Sequence, residues 1–170
     1  MRLIPFVLAL FFAAPISAEG PTPVESIDSL KKLGARLTFD EQGRVIEVNL
    51  GERKVTDDDL ERLRGLDHLQ ELDLTRTRIA GPGLKHLKQL TALKKLYLTE
   101  TQVDDSAVAH LEGLTNLELI GLSGTKVGDA AVVRLQRLTK LKKLFFLGSK
   151  LTDQGAEQLQ IALPDCLIIH

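Results

Sequence analysis

The chain has 170 residues, 44% of them hydrophobic and 26% charged, with a formal net charge of -1. That balance excludes disordered, collagen-like and multi-span membrane chains, and it leaves no basic excess to neutralise a nucleic-acid backbone. Leucine alone supplies 33 residues while aromatics make up 4% and tryptophan is absent, so an aliphatic and regular core is expected.

In chain order, the first element is an export segment. Arg2 precedes an apolar run of twelve residues from Leu3 to Ala14, and Ser17-Ala18 forms a small-residue exit. Residues 1–18 therefore read as a signal peptide cleaved after Ala18, with a periplasmic, cell-envelope or secreted destination. The run is shorter than the roughly 20 residues that span a bilayer, so no membrane span is expected in the mature chain. Residues 19–44 read as a linker and N-terminal cap. Pro21-Thr22-Pro23 is the linker, and Ile27, Leu30 and Leu33 form a helical stripe stopped by Gly34. Leu37-Thr38-Phe39 then pairs across the turn at 40–43 with Val45-Ile46-Glu47-Val48 as a hairpin.

From Val45 onward the apolar pattern recurs every 24 residues, which gives five repeats at 45–68, 69–92, 93–116, 117–140 and 141–164, followed by a closing strand at 165–170. Repeat two shows the pattern in full: Leu69, Leu72, Leu74, Ile79, Leu84, Leu87 and Leu90. Apolar spacing of two early in the block predicts a strand, and spacing of three later in the block predicts a helix. Between them stand Thr77, Thr101, Thr125 and Ser149, whose hydroxyls suit turn backbone; Arg53 breaks this series in repeat one. Asp57, Asp105, Asp129 and Asp153 open the helices and are expected to cap their orphan N–H groups, while Pro82 takes a first-turn place in repeat two. In the last repeat Ala162 falls where leucine belongs. A one-residue insertion would give that role to Leu163 and place Cys166 and Ile169 in the terminal strand. Cys166 is the only cysteine, so no intrachain disulfide forms, and it reads as a small buried filler.

These blocks resemble leucine-rich repeats. Val55-Thr56-Asp57 and Leu151-Thr152-Asp153 are similar to the helix-bearing types of ribonuclease inhibitor, F-box substrate receptors and exported bacterial repeat proteins. The likeness covers 120 of the 170 residues. It implies an α/β fold, a right-handed horseshoe with a parallel concave sheet, convex helices and a helix-hairpin cap covering the first repeat. It implies no particular function, because such repeats serve many.

In that architecture the third, fifth and seventh places of each strand point away from the core. The third places hold Glu47, Glu71, Lys95, Leu119 and Lys143; the fifth hold Asn49, Asp73, Tyr97, Gly121 and Phe145; the seventh include Leu147. The face is thus acidic at its N-terminal end, mixed at Lys95 and Tyr97, and apolar at Leu119, Phe145 and Leu147. An outward aromatic flanked by aliphatics and rimmed by charge has the layout of a protein interface. The partner-binding candidates are therefore Glu71, Asp73, Lys95, Tyr97, Leu119, Lys143, Phe145 and Leu147. The alternative for Phe145 and Leu147 is that they pack beneath the C-terminal segment. Five strands at about 4.8 Å spacing make the sheet about 25 Å wide, which suits a small interface.

Catalytic motifs are missing: there is no HExxH, CxxC, GxSxG or GxxxxGK, and Asp57-Asp58-Asp59 lacks the glycine and distal glutamate of a calcium loop. No enzyme activity, metal or cofactor is expected. His86 and His110 occupy the same place in adjacent repeats and should neighbour each other on the helical side, between lysines and without a third metal ligand. The expected function is non-enzymatic recognition of another protein through the concave strand face. The alternative is a structural, self-associating cell-envelope repeat protein; a surface-glycan binder fits less well, because Tyr97 and Phe145 are too few outward aromatics.

Overall fold

The computed structural model describes residues 22–170; the export segment read at 1–18 lies outside them. Seven strands follow one another in a single sheet: β1 (Arg36–Phe39), β2 (Val45–Asn49), β3 (Glu71–Asp73), β4 (Lys95–Tyr97), β5 (Leu119–Gly121), β6 (Lys143–Phe145) and β7 (Leu167–Ile169). β1 pairs with β2 antiparallel and every later pair is parallel. The parallel register equals the sequence period: Glu47, Glu71, Lys95, Leu119, Lys143 and Leu167 lie in one row across the sheet. Equal places of successive repeats are therefore lateral neighbours. The ladder runs past the strands, where the N–H groups of Glu52, Arg76, Glu100 and Gly124 donate to the carbonyls of Thr75, Thr99, Ser123 and Leu147 at 2.8–2.9 Å. The hairpin and the closing strand join the repeats in this sheet, so it has seven strands rather than five and is about 34 Å wide at ordinary strand spacing.

The period also builds the core. Leu72, Leu96, Ile120 and Leu144 project inward and are fully buried, as are Leu74, Leu98, Leu122 and Phe146 two residues on. Convex leucines such as Leu84, Leu87, Leu111 and Leu135 meet them from the other side in one continuous cluster. Each leucine removed from water contributes about 2 kcal/mol.

The convex elements are shorter and tighter than a full helix per repeat. Asp57–Leu63 and Pro82–Leu87 are 3-10 turns. Helix α2 (Asp105–Val108) tightens into 3-10 at Ala109–Leu111, and a 3-10 turn at Asp129–Ala131 opens into α3 (Val132–Leu135). In repeat five alone does a ten-residue helix, α4 (Asp153–Ala162), form. Leucines three apart match the 3.0 residues per turn of the 3-10 helix better than the 3.6 of the α-helix. Gly83 shows how closely these turns stack, since a Cβ there would lie 2.6 Å from Asp57 Cα.

Of the four aspartates at the openings of these segments, Asp153 is exposed and meets only His170 among the described residues, at 3.4 Å, and the other three work differently from the sequence expectation. Asp57 accepts N–H groups of Ala80, Gly81 and Gly83 in the following repeat, at 2.8–3.0 Å. Asp105 likewise accepts from Gly128, and Asp129 accepts the N–H and hydroxyl of Thr152. They staple one repeat to the next instead of capping their own turn. Where a side chain does cap its own helix it comes from the preceding residue: Asp104 for α2 and Thr152 for α4. The threonine series behaves as the pattern suggests, with buried Thr77, Thr101 and Thr125 donating to the carbonyls of Leu74, Leu98 and Leu122 at 2.6–2.7 Å. Ser149 instead accepts from the Leu151 N–H.

Both ends are finished by non-repeating structure. Helix α1 (Pro23–Lys32) starts with a capping box between Thr22 and Glu25, buries Leu30, and is tied to repeat one by the Ser26 hydroxyl on the Arg64 carbonyl. Arg53, which breaks the threonine series, donates to the Gly34 carbonyl behind that helix. At the other end Leu163 is buried and Ala162 exposed. Cys166 is buried as the filler reading has it, but it lies just before β7 rather than within it. Gln160 Nε2 holds the closing loop through the carbonyls of Leu163, Pro164 and Cys166.

Candidate functional site

The outward places of the sheet form one surface whose two halves differ chemically. In the N-terminal half each acid has a partner within the protein. Glu47 accepts the Thr38 hydroxyl at 3.0 Å, and Glu71 pairs with Lys95 at 2.8 Å. Asp73 accepts Asn49 Nδ2 and the Thr75 N–H, each at 2.9 Å. The pair with Glu71 holds Lys95 above its ordinary pKa. Tyr97, half-buried beside them, is also raised, first by its burial and then by Glu71. A Cβ at Gly121 would meet the Tyr97 ring edge at an ordinary 3.5 Å and crowd only the Thr99 hydroxyl, at 3.0 Å.

In the C-terminal half the outward residues are Leu119, Phe145 and Leu147, with Lys143 among them. β7 lies beside β6 in the same sheet and leaves that face uncovered: Leu147 remains 55% exposed and Phe145 half-exposed. The register extends the row by two residues that sequence reasoning missed, because Leu167 lies beside Lys143 and Ile169 beside Phe145. Leu167 is 53% exposed. The signal was available: adding one more period to positions 143 and 145 gives 167 and 169.

The strand exits form a lip along this face. The place after each seventh position has a left-handed backbone in every repeat, occupied by Glu52, Arg76 and Glu100 and then by Gly124 and Gly148. For a residue with a Cβ that conformation costs on the order of 1 kcal/mol. The three charged residues make a ladder in which Arg76 binds Glu100 at 2.8 Å and Glu52 at 3.2 Å. The pair with Arg76 lowers the Glu100 pKa and raises that of the guanidinium.

Elsewhere the chemistry is sparse. His86 and His110 are both half-exposed on the convex side, and both are held below the ordinary imidazole pKa. Partial burial is the first cause for each, followed by Arg64 and Lys85 for His86 and by Lys88 and Lys85 for His110. Those cations oppose a metal ion at the same place. Among the described residues no three His, Cys, Asp or Glu side chains gather as metal ligands, and no helix is long and apolar enough to cross a membrane. An apolar cleft of about 390 Å³ lies between α1 and repeat one, lined by Val24, Ile27, Val45 and Leu66. None of the predicted concave residues lines it.

No protein-family model matches the sequence, and no curated protein matches it. Solved structures do. The chain is similar to an internalin of Listeria monocytogenes, with a TM-score of 0.62 and 24% identity over 78% of this chain and 38% of that one. It is similar to PEPR1–AtPEP1, with a TM-score of 0.52 and 22% identity over 78% of this chain and 19% of that one. It is also similar to a leucine-rich-repeat protein of Leptospira interrogans, with a TM-score of 0.52 and 22% identity over 65% of this chain and 27% of that one. The chain thus spans less than two fifths of each of these proteins. Its fold is the leucine-rich-repeat solenoid.

Proposed function

We propose that this chain is a non-enzymatic recognition module that binds another protein through the concave sheet, with its centre over β5–β7. The observation that carries the reading is an outward apolar row in which Leu147 and Leu167 are more than half exposed and Leu119, Phe145 and Ile169 are part-buried beside them, bordered by Tyr97 and an ion-paired polar half. Monomeric proteins rarely leave contiguous apolar surface on a regular face without a use for it, and aromatic anchors within a polar rim carry most interface energy. The leucine-rich-repeat solenoids to which the chain is similar support this use of the fold. Glu71, Asp73, Lys95 and Lys143 form the polar rim of the proposed surface. Export, which the Arg2–Ala18 segment supports, would present the surface outside the cytoplasm; sequencing the N-terminus of the exported protein tests it, with Glu19 as the expected first residue.

The test of the main reading is a cross-linking pulldown from the native envelope fraction, with wild type and the Tyr97→Ala, Phe145→Ala double variant side by side. A partner captured by wild type and lost by the variant supports concave-face recognition. Identical captures by both would remove it. A second reading, self-association at the C-terminal repeat, draws on Ile161 and Leu167, which are 75% and 53% exposed. A mass that rises with concentration, and returns to monomer on Ile161→Lys, would favour it.

A further inference from the structure

The row of third places contains an asymmetry that defines the chemistry of the partner. Lysines at the strand starts are engaged one repeat away: Lys94 with Gln70 at 3.0 Å, Lys95 with Glu71 at 2.8 Å, and Lys142 with Glu118 at 2.7 Å. Lys143 occupies the same place as Lys95 two strands further on, but its lateral neighbours are Leu119 and Leu167 instead of an acid. Its N–H donates to the Glu118 carbonyl at 3.1 Å, but among the described residues its ammonium has neither an ion pair nor a hydrogen bond, and the residue is exposed in the middle of the apolar half. The carboxylates of the other half are already held by Thr38, Lys95, Asn49 and the Thr75 N–H. They leave no comparable demand for an outside cation.

We infer that the β5–β7 face takes an extended apolar peptide segment bearing one acidic side chain, with bulky residues seated against Phe145, Leu147 and Leu167 and the carboxylate on Lys143. This rests on the reading of the concave face as a recognition surface. Apolar contact supplies the attraction, and the unpaired Lys143 ammonium sets the register and the sign of the charge that is accepted. Glu71 does not cancel that preference. It lies three strand spacings from Lys143, about 14 Å, which exceeds the screening length at physiological salt, and its charge is already paired with Lys95.

Phage-displayed random twelve-residue peptides, selected on immobilised wild-type protein, provide the probe. The expected enrichment is of sequences with one Asp or Glu flanked by bulky apolar residues. Synthetic copies should bind Lys143→Glu about tenfold more weakly, the effect of replacing one exposed attraction by a repulsion. Copies with Lys in place of the acid should show the reverse preference. The Phe145→Ala, Leu167→Ala variant, which removes only outward side chains and keeps the inner leucines, should lose the peptides. If binding needs Phe145 and Leu167 but is indifferent to Lys143→Glu, the acidic specificity is wrong and the concave reading stands. If the peptides bind the Phe145→Ala, Leu167→Ala variant as well as wild type, the concave reading fails and this inference with it. A selection that enriches nothing, or enriches basic peptides, overturns the partner class.

Discussion

From β2 to β4, Glu47, Glu71 and Asp73 each find a partner on a neighbouring strand or turn, whereas from β5 to β7 the outward places are apolar, with Leu147 and Leu167 more than half exposed and Leu119 and Phe145 part-buried. The backbone is the same in both halves: one register, one hydrogen-bond ladder and one row of buried residues beneath. Even the lip follows the division, with charged Glu52, Arg76 and Glu100 in left-handed conformations in the first half and glycines at the equivalent places in the second. In a repeat fold the inward places have one solution, imposed by packing, while the outward places vary without cost to the scaffold. A half that satisfies its own polar groups is stable surface; a half that leaves apolar groups open is where the proposed partner would contribute energy.

The largest expected effect tests whether the inner face is uniform. Leu96→Ala under the polar half and Leu144→Ala under the apolar half should each cost about 3 kcal/mol in urea unfolding, because both are fully buried in the same core. Outward Leu167→Ala should stay within about 0.5 kcal/mol of wild type, as surface substitutions do. A large gap between the two inner variants would end the claim of a shared scaffold.

Next in size are the staples between repeats. Asp57→Ala removes the acceptor of three backbone N–H groups and should cost about 1–2 kcal/mol. Asp129→Ala, which serves the exposed Thr152 in the C-terminal half, should cost less, and thermal melts of the two variants would rank them. Equal losses would mean that stapling strength does not depend on the number of N–H groups held.

The smallest effect is the response to acid. Glu100 is held below the usual carboxylate range by Arg76, Glu118 by Lys142, and Asp129 by the Thr152 N–H. A lowered folded-state pKa gives stability that is fully present above the unfolded value, near pH 4, and is lost as the pH falls through the folded value. The urea midpoint should therefore hold from pH 7 to about pH 5 and decline below about pH 4. The Glu100 part of that decline should vanish in Arg76→Ala, while the Glu118 part persists. A midpoint that rises on acidification would contradict these assignments.

Much of this was legible in the chain itself. The inner residues, the strand positions and the division of the outer face follow from the period, since a parallel sheet with one strand per repeat must bring place n beside place n plus 24. The same arithmetic reaches Leu167 and Ile169, which were missed because leucines three apart end at the last repeat and the closing strand looked like mere cover. The aspartates were misassigned for a different reason. Local pattern shows that an acid opens a turn, but the N–H groups closest to its carboxylate belong to the next repeat, and only the rise between stacked turns brings them within 3.0 Å.

What the sequence determined is therefore whatever recurs: a solenoid of buried leucines, a register, and an outward face whose chemistry can be read place by place. What the tertiary structure decided is whatever depends on distance between repeats. It made the convex turns 3-10 where leucines three apart must return within one repeat, turned the capping acids into staples, and set β7 beside β6 so that Phe145 and Leu147 remain open. A one-dimensional period specifies which residues become neighbours; the height and tilt of each turn specify which of their atoms touch.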